Sequence, residues 1–187
     1  KALEWGMIYK VVEDADLQKL LPPPTAQELA ELEASIIADG IREPLIVWRT
    51  GRVLVDGHNR LRIAEKHGLP YRVTELDFAD HDAARQWVIR NQLSRRNLTP
   101  DAASYLRGLL VRAAPRDSGA RTDRTSSNSL TRLQAMADEH GVTRQTLHND
   151  AVFADAVDTI AEAAGDDALP VLLSGKVAKK DVLQVAK

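Results

Sequence analysis

The spacing of the apolar residues changes part-way along this chain of 187 residues. The first part alternates short apolar runs, such as Leu45–Trp48 and Val53–Val55, with segments of helical spacing. After a polar stretch at 115–129, every segment has helical spacing. A chain that mixes strands with helices and then becomes entirely helical is typical of two domains. We therefore predict an α+β domain over residues 1–98, followed by an all-α domain over 99–187.

Local signals locate the elements of the first domain. Runs of β-branched and aromatic residues predict four short strands, at 7–12, 45–48, 53–55 and 71–76. Helical spacing predicts three helices, at 25–39, 59–67 and 80–91. The first of these helices has clear end signals, because Thr25 and Glu28 form a capping-box pattern and Gly40 follows the last turn.

The second domain is predicted to be helical throughout. Thr99 is placed to cap a helix whose first turn contains Pro100 and Asp101. The full set of predicted helices is 99–112, 130–140, 143–150, 151–163, 168–174 and 179–186. Residues 115–129 are small and polar and have no periodicity, so they are predicted to form a linker or long loop within this domain.

Residues 133–150 have the pattern of a helix-turn-helix. Ala137 supplies a small residue where two helices touch, and Gly141 supplies a turn residue that accepts positive φ. In this motif the start of the second helix enters the major groove of DNA. The predicted DNA-contacting residues are Thr143, Arg144, Gln145, Thr146, His148 and Asn149. An ordinary pair of helices with a polar outer face stays open as the alternative.

Charge is distributed unevenly along the chain. The formal net charge of −2 would by itself argue against a nucleic-acid partner. Residues 84–132, however, carry ten arginines and only three aspartates. A basic stretch between acidic flanks is typical of a surface that contacts phosphates, although solvated surface arginines are the simpler alternative. We therefore expect double-stranded DNA as a partner, with the stretch from Arg85 to Arg132 contacting its backbone.

Several classes of protein are excluded by what the sequence lacks. There is no cysteine, so disulfides, zinc fingers and thiol nucleophiles are excluded. No apolar run reaches the ~18 residues that a membrane span requires, so no membrane partner is expected. The first residues, Lys1 to Trp5, lack the pattern of a signal peptide. The expected location is the cytoplasm, on nucleoid or plasmid, and no metal site is predicted.

A dense group of polar residues lies where a predicted strand meets a predicted helix. Gly57 turns the chain there, and the first N–H groups of the helix form an anion site. Arg60 and Arg62 are placed to neutralise phosphate oxygens, but they leave the helix on different faces. One can therefore bind while the other pairs with a carboxylate such as Asp56. By its own chemistry, His58 is expected to be an exposed turn residue.

Three sequence boxes resemble those of the ParB/sulfiredoxin-like superfamily. The first, from Leu32 to Val47, combines a Ser-Ile helix that ends in glycine with a Pro-Leu-x-Val strand. The second is Asp-Gly-His-Asn-Arg-Leu-Arg at 56–62, and the third is Asn-Gln-Leu-Ser-Arg at 91–95. Their order, and the helix-turn-helix pattern after them, are similar to ParB-like proteins. The resemblance implies a ParB/sulfiredoxin-like first domain followed by an all-helical helix-turn-helix domain.

The resemblance also implies a ligand site. In partition ParB proteins the second box holds the triphosphate of CTP, which implies a nucleotide or phosphate site made of Gly57, His58, Asn59, Arg60, Arg62, Asn91 and Arg95. His58 and Asn59 replace a glutamate and an arginine of the family pattern. Asn91 stands where a third-box glutamate helps to place Mg²⁺. The implied cofactor is CTP or another nucleotide with Mg²⁺, and hydrolysis is disfavoured by the missing carboxylates.

Two main classes of function follow. The leading interpretation is a ParB-like DNA-binding protein of partition or mobile-element regulation, whose first domain binds a nucleotide or self-associates as a dimer. The alternative is an enzyme of the same superfamily: a phosphotransferase similar to kinases of free serine, a CTPase or a nuclease. Its candidate proton-transfer residues are Glu43, Asp56 and His58. A first domain that serves only as a protein-binding scaffold is a third alternative. Sulfiredoxin chemistry is excluded, because that branch carries its nucleophilic cysteine at the position of His58.

Overall fold

Contacts between residues divide the chain into two units, Lys1–Val88 and Ile89–Lys187. The computed structural model describes residues 10–20, 24–95, 98–113, 123–165 and 168–186. The division falls within a helix and comes before the predicted limit at residue 98. The predicted domain limits therefore stay a prediction.

The first unit is built on a three-stranded sheet of order β2-β1-β3. The strands are β1 (Leu45–Trp48), β2 (Val53–Asp56) and β3 (Val73–Leu76). β1 pairs antiparallel with β2 through a 3₁₀ turn at Thr50–Arg52, and parallel with β3. The buried core of the sheet is formed by Leu45, Val47, Leu54 and Leu61. The pairing with β1 holds β2 in place and so fixes where its last residue, Asp56, lies.

The described part of the first unit contains four helices. They are α1 (Ala15–Lys19), α2 (Ala26–Asp39), α3 (His58–His67) and α4 (His81–Leu93), the last of which continues into the second unit. The predicted capping box of α2 is confirmed, because Thr25 and Glu28 bond to each other's backbone N–H. Sequence periodicity missed α1, since five residues are too few to show it.

The predicted strand at 7–12 is described only at its end. Residues 7–9 lie outside the described part of the chain. Val12 forms an isolated parallel bridge with Val53, in which its N–H donates to the carbonyl of Arg52. The chain therefore touches the sheet at Val12, while Lys10 and Val11 are not part of a strand.

The second unit is helical in its described residues. After the end of α4 it contains α5 (Pro100–Ala113), α6 (Asp123–Glu139), α7 (Arg144–Ala164), α8 (Ala168–Leu173) and α9 (Lys179–Val185). Its core is made mainly by α5 and α7, whose fully buried apolar residues include Leu106, Leu147, Phe153 and Val157. A small mixed sheet with helices, followed by helices alone, confirms the predicted fold class. None of the described helices is both long and apolar enough to cross a lipid bilayer.

Two details of the helical part differ from the sequence prediction. α7 is one helix of 21 residues, and not two helices at 143–150 and 151–163. No glycine or proline comes directly after Asp150, so nothing in the backbone ends the helix there. The backbone is helical from Asp123, so the predicted linker at 115–129 does not extend to its predicted end. The rest of that linker, up to residue 122, lies outside the described residues.

Candidate phosphate site and DNA interface

β2 and α3 meet in a sharp turn at Gly57. Gly57 has φ 104° and ψ 21°, a left-handed conformation that favours glycine. A Cβ atom there would lie 2.6 Å from Cδ2 of Leu45, so a side chain at this position would also force the buried Leu45 side chain to shift. No side chain caps this end of α3 among the described residues. The first N–H groups of α3 therefore lack an intrahelical partner and remain suited to an anion.

His58, the first residue of α3, is buried. Its exposed fraction is 3 %, so the expectation of an exposed turn residue is wrong. Neither ring nitrogen has a hydrogen-bond partner among the described residues. Burial lowers the pKa of His58 below its ordinary value, although the carboxylates of Glu13 and Asp56 act in the opposite direction. His58 is thus a neutral imidazole at pH 7, with one donor and one acceptor that nothing described satisfies.

Arg60 is held by two carboxylates. Its Nη2 lies 2.8 Å from Oδ2 of Asp56, and its Nη1 lies 2.7 Å from Oε2 of Glu43. The Arg60 and Asp56 side chains are mostly buried, whereas the Glu43 side chain is 82 % exposed. The predicted pairing of one arginine with Asp56 is therefore present. Two of the three candidate proton-transfer groups, Glu43 and Asp56, are ion-pair partners of the same guanidinium.

Arg62 differs from Arg60 in its surroundings. It is exposed and makes no ion pair with the described residues. Asn59, between them in sequence, is half-buried. The two arginines thus leave α3 in different directions, as the sequence predicts from their spacing. An anion from solvent can therefore bind Arg62 without displacing an ion-pair partner, whereas Arg60 already has two.

Asn91 and Arg95 lie at the end of α4, in the second unit. The backbone carbonyl of Asn91 accepts a 2.7 Å hydrogen bond from the Ser94 hydroxyl, and its side chain is half-buried. Arg95 follows the helix and is exposed. Gln92 between them is buried, with an amide nitrogen that has no described partner. The burial of Gln92 was not predictable from residue spacing alone.

One group of possible metal ligands occurs among the described residues. A carboxylate oxygen from each of Asp14 and Asp16 and a ring nitrogen of His81 lie within 4.8 Å of one another. Asp14 already caps α1 by accepting the N–H groups of Asp16 and Leu17. These hydrogen bonds and the nearby His81 lower the pKa of Asp14, although burial acts in the opposite direction. The group therefore has a structural role in α1, and the absence of a metal site stays a prediction.

α6 and α7 are joined by a tight turn at the predicted position. Val142 donates to the carbonyl of Ala137 at 2.9 Å, and Gly141, with φ 62°, donates to that of Asp138 at 3.3 Å. This pair of bonds is a Schellman motif, which ends α6. Thr143 then caps α7, because its hydroxyl oxygen accepts the N–H of Thr146. The geometry is common to helix-turn-helix motifs and to ordinary helix pairs, so it does not by itself decide between them.

The predicted DNA-contacting residues lie together in the cap and first turns of α7. Five of them are exposed and Thr146 is half-buried; the exposed ones are Thr143, Arg144, Gln145, His148 and Asn149. The Gln145 amide donates to Oδ1 of Asn149 at 3.1 Å. Leu147, on the same turns, is fully buried. The helix therefore presents one polar face and buries the other, as a recognition helix does.

Asp150 lies buried beneath this polar face, and sequence reasoning assigned it no role. Its side chain is 4 % exposed and accepts a 2.6 Å hydrogen bond from Nε of Arg107 on α5. The Ser104 hydroxyl donates to the other carboxylate oxygen. The sequence contained a signal for the burial of Asp150, because this residue falls in the apolar row of α7 with Leu147 and Ala154. A carboxylate in such a row requires buried partners.

Several arginines of the basic stretch at 84–132 form ion pairs within the second unit. Arg107 pairs with Asp150, and Arg112 pairs with both Asp155 and Asp158. Nε of Arg90 lies 3.8 Å from a carboxylate oxygen of Glu139. These arginines hold helices together, so the phosphate surface expected over the whole stretch is smaller than its arginine count suggests.

Comparison with solved structures identifies the fold. No protein-family model matches the chain, and no curated protein matches its sequence. The chain is similar to a pNOB8-like ParB N-domain at a TM-score of 0.61 and 18 % identity, over 98 % of this chain and 79 % of that one. A second structure of a pNOB8-like ParB N-domain gives a TM-score of 0.60 and 19 % identity, over 98 % and 74 %. The chain has the fold of a ParB N-domain.

A more distant ParB structure does not extend this comparison. The C-terminally truncated ParB of Caulobacter crescentus, complexed with CTP-γ-S, is 17 % identical over 100 % of this chain and 92 % of that one. The TM-score of this match is 0.44.

Within this ParB N-domain fold, the predicted site fits a phosphate better than it fits magnesium. The uncapped start of α3 and the exposed Arg62 suit phosphate oxygens. Magnesium binding in such sites uses one or two carboxylates beside the phosphates. Asn91 is neutral, and the carboxylates of Asp56 and Glu43 are paired with Arg60. The two carboxylates near the start of α3 are therefore already paired, which disfavours a magnesium site there.

Proposed function

We propose that this chain is a ParB-like DNA-binding protein of partition or mobile-element regulation, in which the start of α7 reads the major groove. The observation that carries the proposal is the exposed polar face at the capped end of α7. Arg144 suits guanine, whereas Gln145 and Asn149 suit adenine. The hydroxyls of Thr143 and Thr146, together with the positive end of the helix, suit a backbone phosphate. The ParB N-domain fold agrees with this function without establishing it.

Replacing Arg144 by alanine is expected to weaken binding to the preferred duplex by about 5- to 100-fold and to relax the base preference at one position. The loss follows because a bidentate contact to a base is removed while the cap and core of α7 are untouched. The preferred duplex is first selected from a random-sequence library. Fluorescence anisotropy then compares the wild type, Arg144→Ala and the control Lys180→Ala, which removes an exposed charge from α9.

Two outcomes would contradict the DNA-binding proposal. One is the failure of the wild-type chain to bind any duplex, even at low salt, where phosphate contacts are strongest. The other is an equal loss in Arg144→Ala and Lys180→Ala with no change in base preference. That result would mean that the chain meets DNA only through its net surface charge.

We infer in addition that the start of α3 binds the phosphates of a nucleotide. Three observations support this. The start of α3 has no side-chain cap, Arg62 is an exposed cation, and His58 has two buried nitrogens without a described partner. A buried polar group without a partner is rare in a native protein and indicates that a water or ligand satisfies it. The identity of the nucleotide and the predicted dimer remain predictions.

Replacing Arg62 by alanine is expected to weaken nucleotide binding about tenfold, the effect of removing one charge-assisted hydrogen bond. Isothermal titration against CTP, ATP and ADP, each with and without Mg²⁺, measures the change. Arg42→Ala is the matched control, because Arg42 is also exposed and pairs with the exposed Asp39 at the end of α2. The site assignment is wrong if both variants bind as the wild type does.

One observation favours an enzyme as the second candidate function. His58 is neutral and buried, and a neutral imidazole can act as a general base. The titration samples therefore also serve as reaction mixtures, with and without free serine. Nucleotide hydrolysis or transfer to serine that His58→Gln abolishes would favour the enzyme. Binding without turnover would favour the DNA-binding protein with a nucleotide as effector.

A further inference from the structure

The Arg60 guanidinium uses its two terminal nitrogens for two different purposes. Nη2 contacts Asp56, four residues earlier in the chain, and the side chains of this pair are only 14 % and 11 % exposed. Nη1 contacts Glu43, whose side chain is 82 % exposed. The first contact is a buried anchor and the second is a surface contact. A change of partner at Nη1 therefore leaves the anchor at Nη2 in place.

Glu43 already holds part of the Arg60 guanidinium, through Nη1. Arg60 and the uncapped first turn of α3 belong to the same site, since Nη2 and Nε of Arg60 lie 3.1 and 3.2 Å from where a Cβ of Gly57 would be. A phosphate beside Gly57 is thus within reach of this guanidinium. Nη1 carries two N–H donors, but a phosphate on this guanidinium would be repelled by the negative Glu43 carboxylate, so the two anions compete for Arg60.

The energies of the two ion pairs of Arg60 decide which carboxylate a phosphate can displace. An exposed ion pair is worth little, since water and salt screen it and the glutamate loses rotamer freedom by holding it. A buried pair is costly to break, because the remaining charge stays desolvated. Displacing Glu43 is therefore easy, and displacing Asp56 is not.

We propose that Glu43 is an intramolecular competitor that covers Arg60 until a phosphate group displaces it. This inference rests on the proposed phosphate site at the start of α3 and adds a regulatory residue to it. Glu43 then lowers the affinity for every ligand that reaches Arg60, and ligands of higher negative charge displace it more readily.

The test is a titration of inorganic tripolyphosphate and CTP against the wild type and three variants. Glu43→Gln removes the competing charge and is expected to tighten binding about two- to fivefold. This factor corresponds to the interaction free energy of an exposed ion pair. Glu43→Asp keeps the charge but shortens the side chain, and it is expected to tighten binding as well. The control is Asp77→Asn. Asp77 comes directly after β3, and its exposed carboxylate pairs with Arg49.

The outcomes separate this inference from the proposed site. Tighter binding in both Glu43 variants, with Asp77→Asn unchanged, supports it. Tighter binding in Glu43→Gln and Asp77→Asn alike, with Glu43→Asp unchanged, would mean that only net charge matters and would overturn it. Unchanged or weaker binding in Glu43→Gln, while Arg62→Ala still loses affinity, overturns the competitor and leaves the phosphate site standing. No binding to the wild type overturns both.

Discussion

Gly108→Ala is expected to destabilise the second unit by about 3 kcal/mol, as overpacking of a tight interface does. Gly108 lies in α5, where the helix meets α7. A Cβ there would lie 2.7 Å from Cβ of Ala154 and closer still to the backbone carbonyl oxygen of Asp150. A backbone oxygen cannot rotate away, so the two helices must move apart along their shared core.

The sign of the Gly108→Ala effect distinguishes packing from helix propensity. Alanine in place of glycine in a helix interior stabilises by about 1 kcal/mol when nothing is in the way. Urea unfolding followed by circular dichroism reports the helices, while the fluorescence of Trp48 and Trp87 reports the first unit. Ala135→Ser, on the exposed side of α6, is the control and is expected to change stability by less than about 0.5 kcal/mol. A more stable Gly108→Ala chain would show that α5 and α7 do not approach so closely.

Asp150→Ala is expected to cost about 3–5 kcal/mol, because it leaves a buried charge on Arg107 without its partner. The Arg107 side chain is 16 % exposed, and the Ser104 hydroxyl loses its acceptor as well. The same unfolding measurement gives the change in free energy. Since Asp150 lies under the polar face of α7, DNA affinity is expected to fall with stability.

The control for Asp150 lies on the same helix. Asp155→Ala removes a carboxylate that is 64 % exposed and contacts Arg112 at 3.1 Å, so it is expected to cost no more than about 1 kcal/mol. Replacing Asp150 and Arg107 together by leucine and methionine is expected to restore most of the lost stability, because no unpaired charge remains. An Asp150→Ala chain as stable as Asp155→Ala would show that the buried pair is not needed.

The start of α3 shows how far sequence reasoning reached at the candidate site. The need for glycine at position 57 was predictable, because a strand that turns directly into a helix requires unusual backbone angles. The burial of His58 was not predictable, and its expected exposure was wrong. Burial depends on which other segments pack over the ring. The nearby carboxylate of Glu13 comes from a part of the chain that sequence periodicity left without an element.

The sequence by itself determined the local features: the capping box of α2, the turn at Gly57, the turn between α6 and α7, and the polar face at the start of α7. Each depends on residues within a few positions of one another, so the order of residue types is sufficient information. Only the tertiary structure decided which charges are committed to internal partners. Arg60 and Glu43 are 17 residues apart, and Arg107 and Asp150 are 43 apart. Such pairs form because packing brings distant segments together, and that packing depends on the whole core and not on any local pattern.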